Sequence, residues 1–262
     1  MTSLAHGLAL LCYLLASAAG WASGRRSRVA GLVAWLVGAG VVVQGFALVG
    51  FHREVPPIPL ESFPAALSLI GWFVAAAYLL SLGLTRNRRI GPWVATAALG
   101  FTALGDLGMR FLGSPGAVVP SGDWTHAHVL LSAGGFSLLG LASVAGVAYL
   151  VKERSLKRKR VLWLPLPSLE SLDRTESIAL SIGFPLLTLG VVTGFLWATS
   201  FAEPLWTGHA IFLLGSWGVY LLPVAQRVFL QQRGPQPART VVIGFALLLA
   251  SYLGVRLIGG GA

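Results

Sequence analysis

The chain has 262 residues, of which 55% are hydrophobic and only 11% charged, and its formal net charge is +10. A soluble domain carries about 25% charged residues, so this composition excludes a water-soluble globular protein and predicts a protein whose solvent is lipid. A single cysteine, Cys12, excludes an internal disulfide and a CxxC redox pair.

Eight apolar runs follow one another along the chain, and each is long enough to cross a hydrocarbon core, which takes about 20 helical residues. They cover residues 3–21, 29–51, 63–84, 90–112, 124–151, 177–200, 206–229 and 240–258. None shows the period of two that is typical of a half-buried strand. We therefore predict an all-α, polytopic membrane protein with eight transmembrane helices in a single transmembrane domain over residues 1–262.

Basic residues alternate between the loops, and 16 of the 19 Lys and Arg fall on one side of the predicted membrane, Arg227 among them. The positive-inside rule makes that side cytoplasmic, so both termini face out and the protein crosses the cell membrane several times. The patch at residues 152–160 could bind nucleic acid or anionic lipid, but we interpret it as a topology signal. Leucines at 166, 169 and 172 extend it into a cytoplasmic basic and interfacial segment, 152–176, with a short interfacial helix before the sixth span.

Two histidines each follow an interfacial tryptophan at the outer start of a predicted helix. His128 comes four residues after Trp124, and His209 comes three residues after Trp206. With a rise of ~1.5 Å per residue, both imidazoles lie roughly 5 Å below the outer aromatic belt. Two histidines at one depth on separate helices can bind haem iron from both sides as axial ligands. The alternative is that each histidine only makes hydrogen bonds at the interface.

Further polar and aromatic side chains lie near this outer level. Asp106 and Arg110 are four residues apart on one predicted helix, so they can neutralise each other as an i,i+4 ion pair. Alternatively, Arg110 and Arg53 bind an anionic ligand such as a haem propionate. Asp106 is the only acid that we place inside a span, which argues against a proton relay. Trp124, Trp206 and Trp217 are candidate walls for a porphyrin, although simple packing also explains each of them.

The remaining histidines have less defined roles. His126 points to a helix face nearly opposite to that of His128, so only one of the two can readily face His209. His6 and His52 also lie near the outer surface, where they either join a pocket or, as we expect, are solvated at the interface. No P-loop, HExxH, GxSxG or CxxCH motif occurs, so we expect no enzyme and no covalent capture of haem by this chain.

Several strings resemble the cytochrome c assembly protein family, the CcsA-like and HemX-like haem-handling membrane proteins. WTHAHVLLS at residues 124–132 is similar to the family's W-x-x-x-H-V segment, and LPSLESLD at 166–173 with IGFPLLTLGVVTGFLWA at 182–198 resembles its next segment. GFALLLASYLG at 244–254 is similar to its last helix. The resemblance implies an eight-helix protein that binds haem b through histidines, His128 among them, and presents it to an assembly partner protein and apocytochrome c.

The chain departs from the family pattern at two places. The tryptophan-rich WWD segment is reduced to residues 199–209, where Trp206 remains but Thr207 and Gly208 replace an Asp and a Pro. Gln44 stands near the position where many members carry an intramembrane histidine. The abridged segment favours the HemX-like branch, which implies a regulator of haem biosynthesis whose partner is a cytoplasmic enzyme. A haem-free membrane scaffold is the third interpretation.

Overall fold

The computed structural model describes residues 2–22, 27–51, 63–85, 88–111, 123–159, 166–200 and 208–259. Within these ranges all regular structure is helical, which confirms the all-α prediction. The α-helices are α1 (Thr2–Ala22), α2 (Ser27–Phe51), α3 (Phe63–Thr85), α4 (Gly91–Phe111), α5 (Asp123–Lys157), α6 (Leu169–Ser200), α7 (Gly208–Val224) and α8 (Pro235–Gly259). A 3₁₀ turn, Arg88–Ile90, precedes α4, and a π-helix, Ala225–Phe229, continues α7.

Large apolar side chains cover the outside of these helices, as expected when the solvent is lipid rather than water. Trp35 and Phe111 are each 81% exposed, and Leu80 is 77% exposed. Among the residues that the structure describes, five helices are long and apolar enough to cross a membrane, so the chain is a multi-pass membrane protein. These spans are Leu4–Ala22, Val29–Gly50, Pro64–Gly83, Ala127–Lys157 and Leu169–Leu196. Helices α4, α7 and α8 are not among the five, so eight crossings and the orientation of the termini remain predictions.

Helix starts follow local chemistry. Pro64, Pro92 and Pro235 lie in the first turns of α3, α4 and α8, where a backbone N–H has no partner inside the helix and its absence costs nothing. The hydroxyl of Ser168 accepts a hydrogen bond of 3.2 Å from the backbone N–H of Ser171 and caps the start of α6. These residues therefore favour the observed starts of the helices α3, α4, α8 and the long α6.

The interfacial segment differs from our prediction. α5 continues to Lys157 and α6 already begins at Leu169, so the leucine-rich stretch is the first part of α6 and not a separate interfacial helix. Leu172 is fully buried rather than spread on a membrane surface. At the polar end of α5, Glu153 and Lys157 form an i,i+4 ion pair of 2.6 Å, which adds a small stabilisation to the helix. The amine of Lys152 also donates to the backbone carbonyl of Pro167.

The chain divides into two compact units by contacts, and the prediction of a single domain over 1–262 is not tested by this division. Unit 1 comprises Met1–Val119 with Val151–Thr175, and unit 2 comprises Pro120–Leu150 with Glu176–Ala262. In unit 1, α1 packs against α2 and α4, and α3 packs against α4 and α2.

The ends of α1 and α3 and the start of α4, which flank two predicted basic loops, lie together at one end of unit 1. Trp21, at the end of α1, meets Trp93, near the start of α4, with ring centroids 5.0 Å apart. The hydroxyl of Tyr78, in α3, donates to the carbonyl of Arg88 at 3.2 Å. The ends of α1 and α3 and the start of α4 therefore share one end of the unit, which is the arrangement that alternating crossings require.

In unit 2, α6 contacts both α5 and α7. Gly135 of α5 and Gly183 of α6 bring the two backbones together, so that a Cβ on Gly183 would lie 3.1 Å from the backbone nitrogen of Leu139. Phe136 of α5 meets Phe245 of α8 edge to face at 5.1 Å. α7 packs against α8. Small residues allow this close packing of membrane helices, because without Cβ atoms the backbones approach directly.

Candidate functional site

His128 lies in the second turn of α5 and its half-buried imidazole faces α6. Its Nδ1 lies 2.7 Å from the carbonyl oxygen of Gly190. The hydroxyl of Ser132, one turn along α5, lies 3.4 Å from the same nitrogen. The imidazole is therefore held against the neighbouring helix rather than free at an interface.

Two glycines of α6 make room for this ring. A Cβ on Gly194 would lie 2.6 Å from Nδ1 and 2.7 Å from Cε1 of His128, closer than real Cβ contacts come. A Cβ on Gly190 would overlap the hydroxyl of Ser132. The bare backbone at both positions is what lets the imidazole reach the Gly190 carbonyl.

The contact with Gly190 decides the protonation pattern of the neutral ring. A carbonyl oxygen only accepts hydrogen bonds, so Nδ1 must carry the proton and donate. In the neutral imidazole Nε2 then holds the lone pair, which is the state of a histidine that ligates a metal. The fixed donor and the free lone pair on opposite sides of one ring are the features expected of a metal ligand.

The other predicted ligand and several predicted walls lie outside the described side chains. His209 is in the first turn of α7, but the structure describes only its backbone. Trp124 lies in the first turn of α5, and the structure again describes only its backbone. Trp206 and Arg53 lie wholly outside the described residues. The convergence of His128 and His209 on one iron therefore remains a prediction.

Trp217, in α7, packs against a different face of α6 from the one that His128 of α5 contacts. Its indole nitrogen donates to the hydroxyl of Thr188 at 3.0 Å, and its ring stacks on Phe184 with centroids 5.8 Å apart and 17° between planes. At 3.6 residues per turn, Phe184 and Thr188 lie roughly 120° around α6 from the glycines at His128. Trp217 packs against the middle of α6, and its predicted role as a porphyrin wall remains a prediction.

Arg110 forms the ion pair with Asp106 that its spacing predicts. The guanidinium Nε donates to the Asp106 carboxylate at 2.9 Å, and the Arg110 side chain is 67% exposed. This contact uses one of five N–H donors of the guanidinium, so the two terminal nitrogens keep their donor capacity. The proposed contact of Arg110 with a propionate therefore stays compatible with the ion pair.

Unit 1 contains a buried polar centre that the sequence did not reveal. The amide of Gln44 accepts a 2.9 Å hydrogen bond from Tyr13 and donates to the Ser68 hydroxyl at 3.0 Å and to Thr102 at 3.1 Å. His6 lies 3.5 Å from the Ser68 hydroxyl and is only 2% exposed, so our expectation of a solvated His6 is wrong. Facing polar side chains on the other helices keep this histidine inside the bundle.

A second buried centre occupies the opposite end of unit 2 from His128. The Arg227 guanidinium donates to the Glu176 carboxylate at 2.6 Å, with side-chain exposures of 3% and 0%. Arg227 is thus not a loop charge, and Asp106 is not the only acid within the helices. The two partners are 51 residues apart, and no spacing rule connects them. The one sequence feature that hinted at a buried ion pair was the position of Glu176, directly before a predicted span.

The described ranges contain no group of three His, Cys, Asp or Glu side chains that could hold a bare metal ion. A haem needs a different donor set, because the porphyrin supplies four ligands and the protein adds one or two axial side chains. His128 is the described side chain whose surroundings fit that role.

Comparison with known proteins gives a consistent picture. The family model described as Cytochrome C assembly protein matches residues 118–262, which is more than half of the chain. The chain is 24% identical over 256 residues to the cytochrome c biogenesis protein CcsA of Synechococcus elongatus, covering 79% of each protein. Identity to the CcsA protein of Microcystis aeruginosa is 23% with 79% of each covered, and to that of Porphyra purpurea 24% with 78% and 77% covered. These names lend no support to the HemX-type alternative.

Proposed function

Because the chain belongs to the cytochrome c assembly protein family, we propose that it is a haem-handling membrane protein of cytochrome c biogenesis. It binds haem b non-covalently near the outer membrane face and presents it to apocytochrome c with the help of an assembly partner protein. The observation that carries this proposal is the 2.7 Å contact between His128 Nδ1 and the Gly190 carbonyl, which leaves Nε2 as a ligand.

The roles of the chain's residues are binding and orientation. His128 and His209 are the two axial ligands, each from the outer part of a different helix. Trp124, Trp206 and Trp217 cover the faces of the ring, and Arg110 and Arg53 interact with its propionates. The bound haem is the cargo that becomes attached to the apocytochrome. We assign no bond-making step to this chain.

The orientation follows from the charge distribution. Eight crossings with both termini outside place the basic loops in the cytoplasm and the start of α5 near the outer face. Helices α4, α7 and α8 then complete the set begun by the five strongly apolar spans. Reporter fusions after Arg89 and Arg160 should be active only with a cytoplasmic reporter, and fusions after Gly116 only with an external one. The reverse pattern would contradict delivery at the outer face.

Optical spectra of ligand variants test the haem site. Protein purified from haem-replete cells should show a Soret band, and the variant with both His128→Ala and His209→Ala should lose it. His126→Ala is the matched control, because it removes a neighbouring imidazole that is expected on another face of α5. A colourless wild-type protein would refute the proposal, and loss of the band in His126→Ala instead of His128→Ala would move the ligand to residue 126.

A further inference from the structure

We infer that α6 is the positioning element for His128: the Gly190 carbonyl selects its tautomer, and the missing side chain of Gly194 fixes where the ring sits. Gly190 and Gly194 are positioning residues and would not touch the haem themselves. This inference depends on the proposed function only for the identity of the ligand, haem iron, that Nε2 of His128 binds. The orientation of the imidazole is a property of the haem-free protein as well.

The first part of the argument is electrostatic. At 2.7 Å from the Gly190 oxygen, an unprotonated Nδ1 would place two lone pairs against each other. A proton on Nδ1 instead forms a hydrogen bond of normal length. The Thr193 hydroxyl shares its one proton between this oxygen, at 3.0 Å, and the Leu189 carbonyl, at 2.9 Å, so His128 is the full side-chain donor to the Gly190 oxygen. One carbonyl therefore fixes both the tautomer and the direction of Nε2.

The second part is steric. A methyl group on Gly194 would overlap the imidazole at two atoms, so either the ring or the helix has to move. Moving α5 away from α6 would give up the close backbone packing of Gly135 on Leu187 deeper in the unit, whereas the ring can turn about its own side-chain bonds. The ring is thus the part that yields, and it loses its hydrogen bond to Gly190. A side chain at 194 would misalign the ligand without removing it.

The chain offers a matched control for this substitution. Gly215 lies in α7 of the same unit, and among the described residues a Cβ added there meets no neighbouring atom within 4 Å. Gly215→Ala therefore makes the same chemical change in the same unit without touching a neighbour. A difference between the two alanine variants reports on the contact with His128 and not on the loss of a glycine as such.

Nitrogen NMR of haem-free protein labelled at histidine tests the tautomer directly. At a pH where the ring is neutral, the signals that disappear in His128→Ala should show a protonated Nδ1 and an unprotonated Nε2. Gly215→Ala should keep this pattern and Gly194→Ala should lose it. A proton on Nε2 in the wild-type protein would overturn the inference. This measurement needs no variant at position 194 to fold.

Haem titration supplies the second readout. Loss of the group that orients a histidine ligand weakens metal binding by roughly 10- to 100-fold, and we expect a loss of that order in Gly194→Ala with an altered Soret band. Gly215→Ala should match the wild type. Equal affinity and spectra in both variants would overturn the inference while haem binding stands. Absence of haem binding in the wild type would refute the proposed function, and the tautomer would still decide how His128 is oriented.

Discussion

Neutralising the Glu176 carboxylate removes the counter-charge of Arg227 in a part of unit 2 that excludes water. The side chains are 0% and 3% exposed, and their atoms meet at 2.6 Å. Breaking a buried pair by removing one partner costs about 3–5 kcal/mol, because the remaining charge stays desolvated. We expect Glu176→Gln to lower the free energy of unfolding by that amount, although the amide keeps nearly the same shape.

An exposed ion pair of the same chain provides the control. Lys157 pairs with Glu153 at 2.6 Å, but its side chain is 70% exposed. The Glu153 side chain is 11% exposed, but water solvates the Lys157 ammonium when the pair opens, so an i,i+4 pair of this kind contributes only about 0.3–0.5 kcal/mol. Lys157→Gln should therefore be nearly silent. The comparison separates burial from the mere presence of an ion pair.

The measurement is unfolding of the purified protein in mixed micelles by a denaturing detergent, followed by tryptophan fluorescence. A double variant, Glu176→Leu with Arg227→Leu, should regain most of the loss, because it buries no charge at all. If Glu176→Gln costs no more than Lys157→Gln, the reasoning from burial is wrong. If the double variant is as unstable as the single one, the cost comes from packing and not from the uncompensated charge.

Three further substitutions test other contacts by the same unfolding measurement. Gln44→Leu should cost about 1–3 kcal/mol for each buried partner that loses its hydrogen bond, Tyr13 first, and an unchanged midpoint would contradict the role of the amide. Gly135→Ala should destabilise unit 2, since its Cβ would overlap the α6 backbone. Gly218→Ala should not, since no described residue lies within 4 Å of a Cβ there, and equal effects of the two variants would refute the close approach of α5 and α6. Trp217→Phe should cost about 0.5–1.5 kcal/mol for its lost hydrogen bond, and no loss would show that stacking alone holds the ring.

Hydrophobic runs predicted the helices better than they predicted the helix ends. The sixth run begins at residue 177, where continuous apolar sequence begins, but α6 starts eight residues earlier at Leu169. A helix continues beyond the hydrocarbon when a cap and local pairs support it, and Ser168 supplies that cap. Glu176 was therefore read as part of a surface segment although it is buried inside the bundle.

The sequence could predict the α5 side of the candidate site, His128, but not the α6 residues that it contacts. The spacing of His128 after an interfacial tryptophan predicts it as a ligand, because depth in the membrane follows from position along a helix, and its ligand role stays a prediction. Its partner Gly190 is 62 residues away, and a backbone carbonyl carries no signature in sequence. The burial of His6 escaped prediction for a related reason, since it depends on polar side chains of other helices.

The direct meeting of α5 and α6 also restricts how a large flat molecule can reach His128. Gly135 and Gly183 bring the backbones of α5 and α6 into contact, so a porphyrin that entered between these helices from the lipid would have to separate them. In the proposed orientation this contact lies on the inner side of His128, so it would block passage between these two helices from the centre of the bilayer. Under the proposed function, we therefore expect haem to load and leave by another route around α5, such as the end nearest the aqueous phase.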